Sequence, residues 1–177
     1  GYPQLSAIIE CGNAAHNQGA HIMSDGGIIE VGDINKAFCA NADFVMCGGL
    51  FMGYDENEGE WTQKEEKNPC KIELSLDNKD GPFLANAMLS RWVKDKLKVF
   101  GMSSKHANER YAGGLASYRA SEGLEKWIDF RGPVDIILQE IEGGLRSCGA
   151  YIGARRLKDF SKCANFIRVA RVHSLNE

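Results

Sequence analysis

The sequence lacks any pair of cysteines two or three residues apart. Its six cysteines, Cys11, Cys39, Cys47, Cys70, Cys148 and Cys163, therefore offer no zinc-ribbon spacing. Most stand in apolar segments, which fits buried free thiols in a reducing compartment and predicts a cytoplasmic protein. No apolar run approaches the ~18 residues of a membrane helix, and no signal-peptide pattern is read, so no membrane partner is expected. Excess positive charge is also missing. The net charge is −3, which argues against gripping nucleic acid by bulk charge. The basic run Arg155-Arg156-Leu157-Lys158 reads as a solvated helix face. There is no G-x-G-x-x-G, which disfavours a dinucleotide-binding Rossmann unit. Internal repeats and low-complexity stretches are absent too.

What is present is ordinary globular composition: 177 residues, 44% hydrophobic and 25% charged, enough to bury a core. Residues 3 to 18 read as a helix, with Pro3 in its first turn and Leu5, Ile8, Ile9 and Ala15 on an apolar stripe. His16 is expected at or near its surface, without a functional role. Ala20 to Ser24 reads as a short buried strand ended by Asp25-Gly26-Gly27. A second helix is expected from about Asp33 to Asn41, and Asp43 to Cys47 reads as another strand, closed by Gly48-Gly49. Helix, strand, helix, strand implies parallel strands joined by right-handed crossovers.

Residues 54 to 98 are read as an excursion from this pattern, rich in glutamate and lysine. Ile72 to Leu76 alternates like a strand, Asp77 to Gly81 turns it, and Ala85 to Leu97 is expected as a short amphipathic helix. Residues 101 to 123 are small and polar and read as loop. Pro133 to Leu145 has the clearest helical period, with Gly143-Gly144 near its end. Ala154 to Lys162 is expected as a short helix, and Phe166 to Val172 as extended chain.

In parallel β/α folds the site lies at the C-terminal edge of the strands. A carboxylate there can accept hydrogen bonds from a ribose diol, and glycines let backbone N–H groups approach a phosphate. Asp25 followed by Gly26 and Gly27 supplies the first arrangement. Gly48-Gly49, one crossover later, supplies the second. Either glycine pair alone is equally a tight turn. Their occurrence on consecutive parallel strands favours a ligand.

Five stretches in order, two of them holding these strand ends, give the chain a family. Ser24 to Gly27, Ala42 to Gly49, Phe100 to Ser104, Tyr118 to Gly123 and Gly143 to Ser147 resemble, in order, the signature of GMP reductase. Gly1 to Ala7 and Phe166 to Val169 resemble it as well, leaving only about 61 to 97 outside the likeness. The resemblance implies an α/β fold, the C-terminal part of a (β/α)8 TIM barrel, with 1–177 belonging to one barrel domain and about 54–130 forming an inserted flap and active-site loops. It implies NADPH-dependent conversion of GMP to IMP and ammonia by a homo-oligomer, usually a tetramer. Asp25 would hold the ribose, and Gly26, Gly27, Gly48 and Gly49 the phosphate. Gly101, Met102 and Ser103 would line the purine, and Arg119, Ala120, Ser121, Glu122 and Gly123 would close over it. Met102, Tyr118, Arg119, Ser147, Cys148, Gly149 and Ala150 would face NADPH, the last four from a neighbouring subunit.

Glu122 is the acid–base candidate, because an amine leaves purine C2 only once protonated. IMP dehydrogenase, the nearest relative, carries glutamine there and uses an arginine–tyrosine pair that has no counterpart here. In the GMP reductase family a cysteine attacks C2, with a threonine partner, in a loop before the segment resembling Gly1-Tyr2-Pro3. No cysteine of this chain matches that position, and neither Cys11 nor Cys47 is promoted to it. The ligands of the family's K+ would lie mostly in that same loop, and no residue here is assigned to a metal. Phe100 stands where the family has tyrosine. With only two barrel strands legible, 1–177 is read as the C-terminal half of a longer polypeptide. The alternatives are a catalytically inactive purine-nucleotide-binding remnant and an IMP dehydrogenase-like activity.

Overall fold

A computed structural model describes residues 1–74, 83–101, 104–111, 113–114 and 125–169, with the backbone alone over 68–74 and 83–89. The chain divides into two compact units. Gly1–Phe51 joins Val134–Glu177 in the first, and Met52–Pro133 forms the second.

The first unit opens on helix α1, Gln4–Asn17. Pro3 precedes it in an extended conformation, and its carbonyl accepts from the Ala7 N–H at 3.0 Å. Gly19, at φ 69°, ends it in a left-handed turn in which the Ala20 N–H reaches back to the Ala15 carbonyl. Strand β1, Met23–Asp25, pairs in parallel with β2, Phe44–Met46, through Met23↔Phe44, Ser24↔Val45 and Asp25↔Met46. Both strands are three residues long, shorter than the apolar runs suggest.

Between them lies helix α2, Val31–Cys39, which starts two residues before Asp33. Its start is set by a reciprocal capping box. Asp33 Oδ2 accepts from the Glu30 and Ile29 N–H groups at 3.1 Å each, while the Glu30 side chain takes the Asp33 N–H. Burial is the largest influence on the Asp33 carboxyl and opposes its ionisation. The hydrogen bonds from Glu30, Ile29 and Lys36 outweigh it and hold the carboxyl below its ordinary range. The core of the unit is Ile8, Ala37, Ala40 and Ala42, flanked by Leu5, Ile9, Ile22, Ile28 and Val45.

Helix α4, Asp135–Ile152, is longer than expected and closes on Gly153 at φ 74°. Gly143 and Gly144 lie in its middle rather than near its end. Gly144 is there for packing: a Cβ would collide with Val31 of α2, and its carbonyl accepts from Asn35 Nδ2 at 3.2 Å. The expected final helix is a 3-10 turn at Leu157–Asp159 followed by the four-residue α5, Phe160–Cys163. The basic run before it is thus a turn, with Arg156 paired to Asp159 at 2.8 Å.

The second unit is a three-stranded antiparallel sheet in the order β3-β4-β5, formed by Trp61–Leu74, Phe83–Phe100 and Glu125–Asp129. The helix expected over Ala85 to Leu97 is therefore strand. β4 is hydrogen-bonded on both edges, to β3 from Trp61↔Leu97 to Leu74↔Phe83 and to β5 from Lys96↔Asp129 to Phe100↔Glu125. Pairing overrides a local amphipathic pattern that was compatible with either state. Alternate residues Leu97 and Val99 are buried on one face. The strand read at Ile72 to Leu76 is the end of the much longer β3, and the turn expected at Asp77 to Gly81 lies outside the described residues. Helix α3, Lys105–Tyr111, occupies part of the stretch read as loop. No helix among the described residues is long and apolar enough to cross a membrane.

Candidate functional site

The parallel register places the two glycine-bearing strand ends side by side. Asp25↔Met46 is the last pair of the ladder, so the chain leaves β1 at Gly26-Gly27 and β2 at Gly48-Gly49 on the same edge. Asp25, Gly26, Gly27, Gly48 and Gly49 are all exposed. Gly26 and Gly27 have φ of 100° and 74°, a region that disfavours any side chain. Among the described residues, a Cβ built on any of the four glycines meets nothing within 4 Å. The backbone is thus bare and reachable, which is what a phosphate held by N–H groups needs. The N-terminus of α2 is a poor competitor for that anion, because its cap is the acidic pair Glu30 and Asp33.

Asp25 is steadied from behind. Gln4 Nε2 donates to the Asp25 carbonyl at 3.0 Å, joining the first turn of α1 to the end of β1. Sequence reasoning singled out Asp25 and missed Gln4. No periodicity marks a residue whose partner is a carbonyl 21 positions away.

Of the α4 stretch, Ser147 and Ala150 are exposed, whereas Cys148 and Gly149 point into the unit. Cys148 Sγ lies 3.8 Å from Cys39 Sγ, and Gly149 packs under the Phe160 ring. Burial first, then the hydrogen bond with Cys148, push the Cys39 thiol up to about 12. The expectation of buried thiols holds for Cys39, but Cys11 and Cys163 are exposed because each stands on the outer side of its helix.

Gly101 belongs to the second unit. Its carbonyl accepts from the Ser104 N–H at 2.9 Å, and the buried Ser104 Oγ accepts from the Ala107 N–H at 3.1 Å, starting α3. The remaining candidates, Met102, Ser103, Tyr118, Arg119, Ala120, Ser121, Glu122 and Gly123, lie outside the described residues.

A second cluster gathers at the opposite ends of β1 and β2. His16 Nε2 is 2.8 Å from Asp43 Oδ2, His21 Nδ1 is 3.2 Å from Asp43 Oδ1, and the Ile22 N–H donates to Asp43 Oδ2 at 2.8 Å. Burial, the largest influence on Asp43, resists its ionisation. The bonds from His16, Ile22 and His21 outweigh it and lower its pKa. The sequence reading left His16 without a role and passed over His21. The available signal was two histidines five residues apart beside an aspartate opening the next strand.

Comparison with known proteins completes the picture. The IMP dehydrogenase / GMP reductase domain family matches residues 1–73 and 86–177. Among curated proteins, the GMP reductase of Photobacterium profundum is 44% identical over 169 residues, covering 96% of this chain and 41% of its own length. That of Phytophthora infestans is 44% identical over 177 residues, covering 100% and 41%. GMP reductase 1 of Mus musculus is 43% identical over 174 residues, covering 98% and 43%. The chain thus spans about two fifths of the length of these relatives. Among solved structures, a cysteine-to-alanine variant of GMP reductase from Trypanosoma brucei, in complex with guanosine 5'-monophosphate, matches with a TM-score of 0.71 and 31% identity. It covers 96% of this chain and 30% of that one.

Proposed function

The chain belongs to the IMP dehydrogenase / GMP reductase family, and on that premise we propose that it is the nucleotide-holding portion of an NADPH-dependent GMP reductase. The observation that carries the proposal is the parallel register that sets Asp25-Gly26-Gly27 beside Gly48-Gly49. One carboxylate and two bare glycine turns on one edge suit a ribose 5'-phosphate. In this reading Asp25 accepts from the ribose hydroxyls and the four glycines donate backbone N–H groups to the phosphate. Gly101, Met102 and Ser103 line the purine, and Arg119 to Gly123 close over it.

Two exposed positions on α4 fit a cofactor. Ser147 offers a hydroxyl and Ala150 a small surface, while Cys148 and Gly149 are engaged inside the unit. The contact to NADPH therefore narrows to Ser147 and Ala150 on this helix, together with Met102, Tyr118 and Arg119. Bound NADPH supplies the hydride that replaces the amino group at purine C2. Glu122 protonates the departing amine so that it leaves as ammonia. The proposal includes the barrel of which β1 and β2 are neighbouring strands, one barrel domain over 1–177 with 54–130 as its flap, a homotetrameric assembly and a cytoplasmic location. It gives no nucleophilic role to the six cysteines and assigns no K+ ligand to this chain.

The test is turnover by the full-length protein. Mixing it with GMP and NADPH should consume NADPH and release ammonia in equal amounts, with IMP as product. Nucleotide binding without turnover supports the inactive-remnant reading instead. Reduction of NAD with IMP as substrate transfers the chain to the dehydrogenase branch.

A further inference from the structure

At the edge opposite the nucleotide rim, we propose that His16, His21 and Asp43 bind a divalent first-row transition-metal ion of the zinc type. The ligand atoms of the three side chains lie within 4.8 Å of one another. Two imidazoles and a carboxylate are a borderline donor set, suited to zinc, cobalt or nickel rather than to magnesium or calcium. In a four-coordinate tetrahedral site, two atoms bound to one ion at about 2.1 Å stand about 3.4 Å apart. Closing the set from 4.8 Å therefore needs at most about 1.4 Å of movement. His21 can supply it, because its side chain is 73% exposed.

The scaffold beneath the three groups is fixed. His21 follows the turn in which the Ala20 N–H donates to the Ala15 carbonyl, one residue before His16. Asp43 is bracketed by backbone bonds, since the Asp43 and Phe44 N–H groups both donate to the Ile22 carbonyl. The Ile22 N–H in turn holds one carboxylate oxygen at 2.8 Å, which orients the ligand as outer hydrogen bonds do in known metal sites. The His21 ring stands edge-on to Phe44, at 83° and 6.3 Å between centroids. Three protein ligands leave a fourth position for water.

Charge argues both ways. The carboxylate and two neutral imidazoles attract a dication. Lys158 and Lys162 line the same groove as His16 and Asp43 and oppose it, which sets a moderate affinity. The site begins at the N-terminal ends of β1 and β2, where parallel β/α folds place stabilising rather than catalytic groups. The ion would fasten α1 to the sheet and leave the chemistry to the opposite edge.

Full-length protein stripped with a chelator is titrated calorimetrically with zinc, and in parallel with cobalt followed by visible absorption. The expected result is saturable uptake that His21→Ala and His16→Gln each weaken about 10-fold or more. The melting temperature should rise with zinc in the parent protein and stay put in the H16Q/H21A double variant. His21 is exposed, so H21A keeps the fold, which circular dichroism verifies. Absence of saturable uptake, or uptake and melting shift unchanged in the double variant, overturns the proposal and leaves the cluster as a histidine–aspartate clamp.

Discussion

Gln4 and Asp25 are joined by a hydrogen bond of 3.0 Å from the Gln4 amide to the Asp25 carbonyl, which ties the start of α1 to the proposed ribose-binding strand end. Gln4 touches no ligand in the proposed site, so it acts as a positioning residue. A neutral hydrogen bond of this kind is worth about 0.5–1.5 kcal/mol. Gln4→Ala is expected to raise the KM for GMP a few-fold and leave kcat nearly unchanged, in steady-state assays of the full-length protein. A fall in kcat with constant KM would contradict that role.

Glu122 carries the proton step in the proposed reaction, and its amide isostere cannot. Glu122→Gln should lower kcat by roughly 10²–10⁴-fold while GMP binding, read by calorimetry, stays within a few-fold of the parent. Equal loss of binding and turnover would instead make Glu122 a substrate-holding residue.

Neighbouring glycines in α4 should respond in opposite directions. A methyl at Gly144 runs into Val31 of α2, whereas one at Gly143 meets nothing within 4 Å. Gly144→Ala is expected to destabilise by about 1–3 kcal/mol. Gly143→Ala should stabilise by up to about 1 kcal/mol through helix propensity. Urea midpoints of the two variants read the contrast directly.

Asp43 links stability to acid. Its folded pKa is depressed, so its contribution is fully present above the unfolded carboxyl value, about 3.9, and disappears as pH falls through the lower folded value. Melting curves across this window should show the parent losing stability that Asp43→Asn never had. The two profiles should converge at the acid end.

Thiol chemistry follows burial. Cys39 is buried beside Cys148 with its pKa pushed up to about 12, and burial raises Cys47 as well. Cys11 and Cys163 are exposed. Iodoacetamide at about pH 8 should label Cys11 and Cys163 first and Cys39 last, by peptide mass spectrometry, because the thiolate is the reacting form.

The sequence alone determined the helices α1 and α4, the two short strands and the glycine turns that end them. These rest on local rules: apolar spacing, a proline just before a helix start and glycines at the strand ends. It also made the family legible, through ordered short motifs around Asp25, Gly48 and Glu122. Tertiary structure decided what depends on a distant partner. Ala85 to Leu97 became strand because β3 offered hydrogen bonds along one edge, joined by β5 on the other from Lys96 onward. Gly143-Gly144 left the helix end for the helix middle because α2 packs against Gly144. Gln4 gained its neighbour when α1 met the end of β1, and His21 and Asp43 theirs when β1 and β2 paired, since a carbonyl or carboxylate 21 or more residues away leaves no periodic trace in the chain. Asp25 was readable as a ligand-holding residue from the glycines after it. That Gly48-Gly49 stands beside it was fixed by the parallel register, a property of two segments together and of neither one alone.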